Sequence, residues 1–206
     1  AEGRDAKGYI VDGRYRLIGT IGQGAFGVVW DAEHVATRQP VALKIAHVRL
    51  VGDESALERF RREARALEAI DHPAVVGIVD VGTHEGRAFV AMERLYGQSL
   101  LAYFGSADTT RAERLQRLEE VLPPLAAAHA KGFVHRDLKP ENLFLTAEGI
   151  RVLDFGLTKQ AAECGITQSG TTLGTPQYMS PEQAGDAKHV GPAADVWAIG
   201  VMVFQV

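Results

Sequence analysis

His135-Arg136-Asp137-Leu138-Lys139-Pro140-Glu141-Asn142, followed by Asp154-Phe155-Gly156, decides how this chain is read. The two stretches set carboxylates, an amide and an ammonium close together, with the apolar runs Leu143-Phe144-Leu145 and Val152-Leu153 between them. A solvated polar face would scatter such groups rather than interleave them with core residues. Carboxylate and amide oxygens suit a hard divalent cation, and an ammonium suits phosphate oxygens. A further carboxylate can orient an incoming hydroxyl.

Composition narrows the field without choosing a chemistry. At 206 residues the chain can form one domain or two small lobes sharing a site. Its 46% apolar and 23% charged residues are ordinary for a globular protein. The net charge of −4 gives no electrostatic reason to expect nucleic acid. Cys164 is the single cysteine, which excludes an internal disulfide and suits a reducing, cytoplasmic compartment. The chain opens on Ala rather than Met and without a charged-then-apolar leader, which reads as a fragment or a processed form. Val196 to Phe204 is apolar throughout, but a membrane span needs roughly 20 such residues. It reads as a core helix, and no membrane segment is expected within these residues.

Residues 1–14 are polar and Gly-containing and read as a flexible lead-in. Strand patterns follow at Tyr15–Ile18, Val28–Trp30, Pro40–Ile45, Val75–Val81 and Arg87–Met92, with polar or Gly-bearing turns between them. Between them, Leu57, Phe60, Ala64, Leu67 and Ile70 recur at steps of three and four, which predicts a helix over 54–70. After Glu93 the character changes to a long helical pattern over 111–131. Pro123-Pro124 inside it predict a kink or a later start, because an interior proline costs about 3 kcal/mol. Residues 157–180 are too irregular for an element and too long for a plain connection, so they read as a functional loop.

Gly22-Gln23-Gly24-Ala25-Phe26-Gly27 contains G-x-G-x-x-G, where missing side chains let backbone amides approach phosphate. A dinucleotide-binding fold would open a helix there and place an acid about 20 residues on. Here Val28-Val29-Trp30 continues as a strand, and Lys44 stands near the place of the acid. Lys44 ends the apolar strand Val41-Ala42-Leu43, where a lysine alone would snorkel to solvent. Glu63 in the expected helix could pair with it, or locally with Arg59 or Arg62.

Taken together and in order, these motifs resemble the catalytic domain of eukaryotic-like serine/threonine protein kinases, over roughly residues 15–206. The resemblance implies an α+β, two-lobed fold. It has a small antiparallel five-stranded N-lobe with one main helix over 15–92, a hinge over 93–97, and an incomplete, mainly helical C-lobe over 98–206. It implies ATP as phosphoryl donor, two Mg²⁺ (or Mn²⁺) ions, and protein substrates with Ser or Thr acceptors. Asp137 would accept the substrate hydroxyl proton or orient that hydroxyl, and Lys139 would neutralise the transferring group. Asn142 and Asp154 would be the metal ligands. Gly22, Gln23, Gly24, Ala25, Phe26 and Gly27 would cover the phosphates, and Lys44, paired with Glu63, would hold them. Val29 would cover the adenine, Ala42, Met92 and Phe144 would belong to the same cofactor-binding site, and backbone groups of Glu93 and Leu95 would contact the base.

His135 matches a core histidine supporting the loop, with Leu67, Ile78 and Phe155 stacked on it above Asp195, and not a base. Arg136 is placed to meet a phosphate on the loop, for which Thr167, Ser169, Thr171 and Thr172 are the candidate phosphosites, Thr167 and Ser169 matching best. Thr175, in a Gly-Thr-Pro-Gln-Tyr-Met-Ser-Pro-Glu segment of bacterial character, would dock a Ser/Thr acceptor. Autophosphorylation through dimerisation would fit such a loop. The chain stops early in the family's central helix, so Glu182 would lack its usual arginine, and Val196, Ile199, Val203 and Phe204 would be exposed. A membrane anchor beyond residue 206 is compatible with this reading. The competing expectation is a nucleotide-binding or scaffold module without catalysis, or an inactive fragment, although Lys44, Asp137 and Asp154 are all present.

Overall fold

Asp12 and Gly13 both take left-handed backbone angles, φ 52° and 69°, and the Arg14 N–H donates to the Val11 carbonyl at 3.0 Å. This is the hairpin turn whose twist matches that of the flanking strands. It pairs β1 (Ile10–Val11) with β2 (Tyr15–Gly24). In the computed structural model, which describes residues 7–24, 27–49, 70, 72–153, 155, 176–185 and 190–206, four more strands complete this sheet. They are β3 (Gly27–His34), β4 (Pro40–Arg49), β5 (Ile78–His84) and β6 (Arg87–Glu93). The sheet is antiparallel, in the order β1-β2-β3-β4-β6-β5.

The sheet therefore has six strands rather than the expected five, and the extra one lies in the expected lead-in. Val11 is fully buried, and residues 8–9 bond the backbone of Leu17 on both sides (Gly8 N–H to its carbonyl, 2.7 Å; its N–H to Tyr9, 2.9 Å). The physical reason is the Asp-Gly pair, a hairpin signal that polar composition alone disguises. The expected helix over 54–70 lies outside the described residues, apart from Ile70.

The described residues fall into two compact units. The first contains residues of 7–49 with Gly77–Leu95, and the second contains 70–76, 96–155 and 176–206. In the first, strand alternation drives one face inward. Val11, Tyr15, Leu17, Ala32, Val41, Leu43, Ile45, Phe89 and Ala91 form its buried cluster. Each large side chain there contributes about 1.5–3 kcal/mol by leaving water. The end strands of the sheet are tied to one another. The Tyr9 hydroxyl lies 2.8 Å from His84 Nε2, the Asp12 N–H donates to His84 Nδ1, and both Arg14 and the Tyr15 hydroxyl donate to Asp80. Strands at opposite ends of the order can share such bonds only if the sheet is strongly curled.

The expected strand Val75–Val81 is divided between the units. Val75 bridges Val152 in parallel, with the Val76 N–H donating to the Val152 carbonyl at 3.0 Å, and β5 begins only at Ile78. Gly77 marks the break in what reads as one apolar run.

In the second unit, β7 (Gly97–Ser99), β8 (Leu143–Thr146) and β9 (Gly149–Val152) form a small antiparallel sheet. Ser99 caps α1 (Leu100–Gly105) by accepting from the Ala102 N–H. The expected helix over 111–131 is two helices, α2 (Arg111–Glu119) and α3 (Leu122–Ala130). Thr110 and Glu113 cap α2 reciprocally, and Pro123-Pro124 fall in the first turn of α3, where a missing N–H removes no helical bond. Gly132, at φ 81°, ends α3. Its N–H donates to the His129 carbonyl and that of Phe133 to Ala128, the paired bonds of a Schellman stop. Beyond it lie α4 (Pro181–Gly185) and α5 (Ala193–Gln205). On α5, Val196, Val203 and Phe204 are exposed as expected, Phe204 at 91%, while Ile199 is half-buried. No described helix is long and apolar enough to cross a membrane.

Candidate active site

The stop at Gly132 releases the chain directly into Val134-His135, and the loop that follows is built around one buried carboxylate. Asp195, in the first turn of α5, is 1% exposed and accepts three hydrogen bonds. His129 Nε2 on α3 donates to its Oδ2 at 2.7 Å, the His135 N–H to the same oxygen at 2.9 Å, and the Arg136 N–H to Oδ1 at 2.9 Å. A carboxylate out of water needs such donors to offset its lost hydration. The result fastens residues 135–136 to α3 and α5 together.

His135 is itself fully buried and makes two bonds that fix its tautomer. Nδ1 accepts from the Asp137 N–H at 3.3 Å, so Nε2 carries the proton and donates to the Leu153 carbonyl at 2.7 Å. Both nitrogens are engaged with backbone, and the ring packs on Phe155 with centroids 4.9 Å apart. The imidazole is a strut between the two quoted motifs. Arg136 takes φ 63°, a left-handed angle that side chains other than glycine adopt at a cost.

Asp137 is the next residue, and the structure brings it together with Lys139 and Asn142. Lys139 Nζ lies 3.1 Å from Asp137 Oδ2, with both side chains 17% exposed. Asn142 Nδ2 donates to the Asp137 carbonyl at 2.7 Å and to Oδ2 at 3.2 Å. Asn142 sits in the short 3-10 turn Pro140–Asn142, and its own carbonyl accepts from the Leu153 N–H at 2.9 Å. With its nitrogen committed to Asp137, the amide presents oxygen, the atom a hard cation prefers. Asp154, the other expected metal ligand, lies outside the described residues, as do Ala25, Phe26, Glu63, Thr167, Ser169, Thr171, Thr172 and Thr175. Phe144 is half-buried on β8, on the face opposite the fully buried Leu143.

In the first unit, register places the remaining candidates on the sheet face opposite the core. Val29 is the partner of Lys44, Asp31 of Ala42, Ala42 of Met92, and Lys44 of Val90. Cross-strand partners and alternate residues project to the same side, so Val29, Ala42, Lys44 and Met92 share one face. Lys44 is only 8% exposed there, unlike the snorkelling lysine that the strand alone would suggest. In the loop, a Cβ on Gly27 would meet the Ile45 carbonyl oxygen at 2.3 Å, whereas one on Gly22 would find only Val29, at 3.7 Å. Gly27 is thus required by packing and Gly22 is not. Gln23 is exposed at the start of the loop. The Glu93 N–H donates to the Gly77 carbonyl at 2.9 Å, its carboxylate accepts from the Gly77 N–H, and Arg94 ties the Leu95 carbonyl and Asp31.

Sequence reading singled out neither His129 nor Gln183. His129 is 66 positions from Asp195, and its role exists only through α3 and α5. Gln183, on α4, donates from Nε2 to the Arg136 carbonyl at 2.7 Å.

Comparison with known proteins matches residues 15–206 to the family described as protein kinase domain. The chain is 40% identical over 204 residues to serine/threonine-protein kinase pkn2 of Myxococcus xanthus, covering 96% of this chain and 24% of that protein. It is 38% identical over 200 residues to serine/threonine-protein kinase PknL of Mycobacterium tuberculosis, covering 95% and 49%. Among solved structures, the Mycobacterium tuberculosis PknI kinase domain superposes with a TM-score of 0.76 at 26% identity, over 97% of this chain and 74% of that one. The chain thus spans about a quarter of pkn2 and about half of PknL.

Proposed function

The chain belongs to the protein kinase domain family, and on that premise we propose that it transfers the γ-phosphoryl group of ATP to serine or threonine hydroxyls of proteins, in the cytoplasm. The observation that carries the reading is the Asp137–Lys139–Asn142 cluster on a loop fastened to Asp195. The Asp137 carboxylate receives the acceptor hydroxyl and orients its lone pair along the line of attack. As the new P–O bond forms and the bond to the ADP oxygen breaks, the hydroxyl proton passes to that carboxylate. Lys139 balances the negative charge of the group in transit, and Asn142 keeps the carboxylate aimed. Lys44, on the face with Val29, Ala42 and Met92, meets the phosphates of a nucleotide whose base packs on those apolar side chains. Asn142 and Asp154 are the residues that would hold a divalent cation, whose charge would offset that of the polyphosphate. Phosphorylation of Thr167 or Ser169 is the proposed regulatory step.

The test is transfer of labelled phosphate from ATP, with Mg²⁺, by wild type, Asp137→Ala and Asp154→Asn. Label in the wild type and at least a hundredfold less in the variants, about the scale of a lost acid–base group, is expected. Equal labelling in all three overturns the assignment. A thermal shift with Mg-ATP but no transfer would favour a nucleotide-binding module without catalysis.

A further inference from the structure

Arg136 is clamped on both of its peptide groups. Its N–H donates to Asp195, and its carbonyl accepts from Gln183 Nε2 at 2.7 Å. The second clamp comes from α4, five residues of which only Gln183 is not exposed. The side chain of Gln183 is used at both ends. Its Oε1 accepts the Ser180 N–H at 3.1 Å, while the Gln183 N–H donates back to Ser180 Oγ at 3.4 Å. This reciprocal cap orients the amide, so the NH₂ group can point only one way, toward the loop. Ser180 itself is fully buried, so the cap is not a solvated surface feature.

We propose that Gln183 is a positioning residue for Asp137, acting through the Arg136 carbonyl. The peptide between Arg136 and Asp137 sets where the carboxylate stands. Its conformation is not self-sustaining, because Arg136 at φ 63° relaxes unless its surroundings hold it. Asp195 fixes one side of that residue and Gln183 fixes the other. The Ser-Pro-Glu-Gln segment thereby senses, and is sensed by, the residue that receives the acceptor hydroxyl. Displacement of α4 would release the Arg136 carbonyl and misalign Asp137 without touching it.

This inference rests on the proposed phosphotransfer for its kinetic consequence but not for its geometry, and the experiment separates the two. In the full protein, Gln183→Glu retains an acceptor for the Ser180 N–H and loses the donor to Arg136. Ser180→Ala removes the hydroxyl half of the cap and leaves the Gln183–Arg136 bond. Gln183→Glu is expected to lower kcat about tenfold while KM for ATP stays within about twofold. It should also speed amide hydrogen exchange across residues 135–139. Ser180→Ala should leave both kcat and that exchange near wild type, even if it melts at the same temperature as Gln183→Glu. Wild-type kcat in Gln183→Glu, or equal losses in the two variants, overturns the positioning role. If wild type transfers no phosphate, the proposed function fails, and exchange alone decides: unchanged protection at 135–139 in Gln183→Glu overturns the coupling.

Discussion

Replacing Asp195 by asparagine keeps the shape of the side chain and reverses one of its two hydrogen-bonding ends. In the native arrangement Oδ1 faces the Arg136 N–H, and Oδ2 faces both His129 Nε2 and the His135 N–H. The better asparagine rotamer keeps its oxygen at the two-donor end and turns NH₂ toward the Arg136 N–H. One charge-assisted bond is then lost, worth about 1.5–3 kcal/mol, and a buried donor meets another donor. The two surviving bonds become neutral-acceptor bonds, each weaker by roughly half. Together these give about 3–6 kcal/mol, or a fall in Tm of roughly 6–24 °C for a chain of this size. Arg136 loses the bond that opposes its left-handed angle, so kcat should fall more than stability measured at the assay temperature would explain. Thermal denaturation followed by circular dichroism, with labelled-phosphate kinetics on the folded fraction, reads both quantities. Unchanged Tm together with unchanged kcat in the Asp195→Asn variant would refute the hub described for this loop.

Other perturbations separate the parts of the molecule. Gly27→Ala should destabilise the protein markedly, since its Cβ would sit 2.3 Å from the Ile45 carbonyl oxygen; Gly22→Ala should keep wild-type Tm and raise KM for ATP. Thr110→Ala removes the α2 cap and should cost about 1 kcal/mol in urea denaturation. Hydrogen bonds from the Thr110 backbone and hydroxyl hold the Glu113 carboxyl below its ordinary range. Its contribution is therefore present above that range and lost as pH falls through the lowered value. The acid limb of the stability profile should flatten in Glu113→Gln. Burial, and then the bond to Asp80, push the Tyr15 phenol well above its ordinary value. A group raised in the folded state stabilises below its unfolded value and ceases to do so as pH rises past it. Tyr15→Phe should lose less stability than wild type between neutral pH and the alkaline range, and an identical slope would count against the part-buried Tyr15–Asp80 bond.

What could be read in advance follows the distance over which each interaction acts. Asp137, Lys139 and Asn142 were legible because they share one loop, and spacing along it already constrains them. The placement of Val29, Ala42, Lys44 and Met92 on one face needs only strand alternation plus register. Asp195 with His129 was invisible, because a separation of 66 positions carries no trace of their contact. Gln183 leaves no mark in the sequence either, because its partner is a backbone carbonyl rather than a residue type. The expected helix over 111–131 hid a boundary because Leu, Ala, Arg and Glu suit two helices as well as one, and only the proline pair hinted at it. The expected Val75–Val81 strand failed at Gly77, where apolar content on both sides masks a change of partner. β1 failed because two residues are too short for periodicity to register.

That short strand has a practical consequence. The family match begins at residue 15, and a domain boundary drawn there would remove Ile10–Val11 along with Tyr9 and Arg14. Tyr15 and Arg16 would then present unpaired backbone N–H and C=O groups along β2, where two bulged isoleucines, Ile18 and Ile21, already lie exposed. A bare strand edge flanked by apolar side chains is a template for another chain to add to. Eight residues that look dispensable in the sequence, from Lys7 to Arg14, thus act as a guard against self-association, and a protein trimmed to Tyr15 should elute as aggregate where the longer one runs as a discrete species.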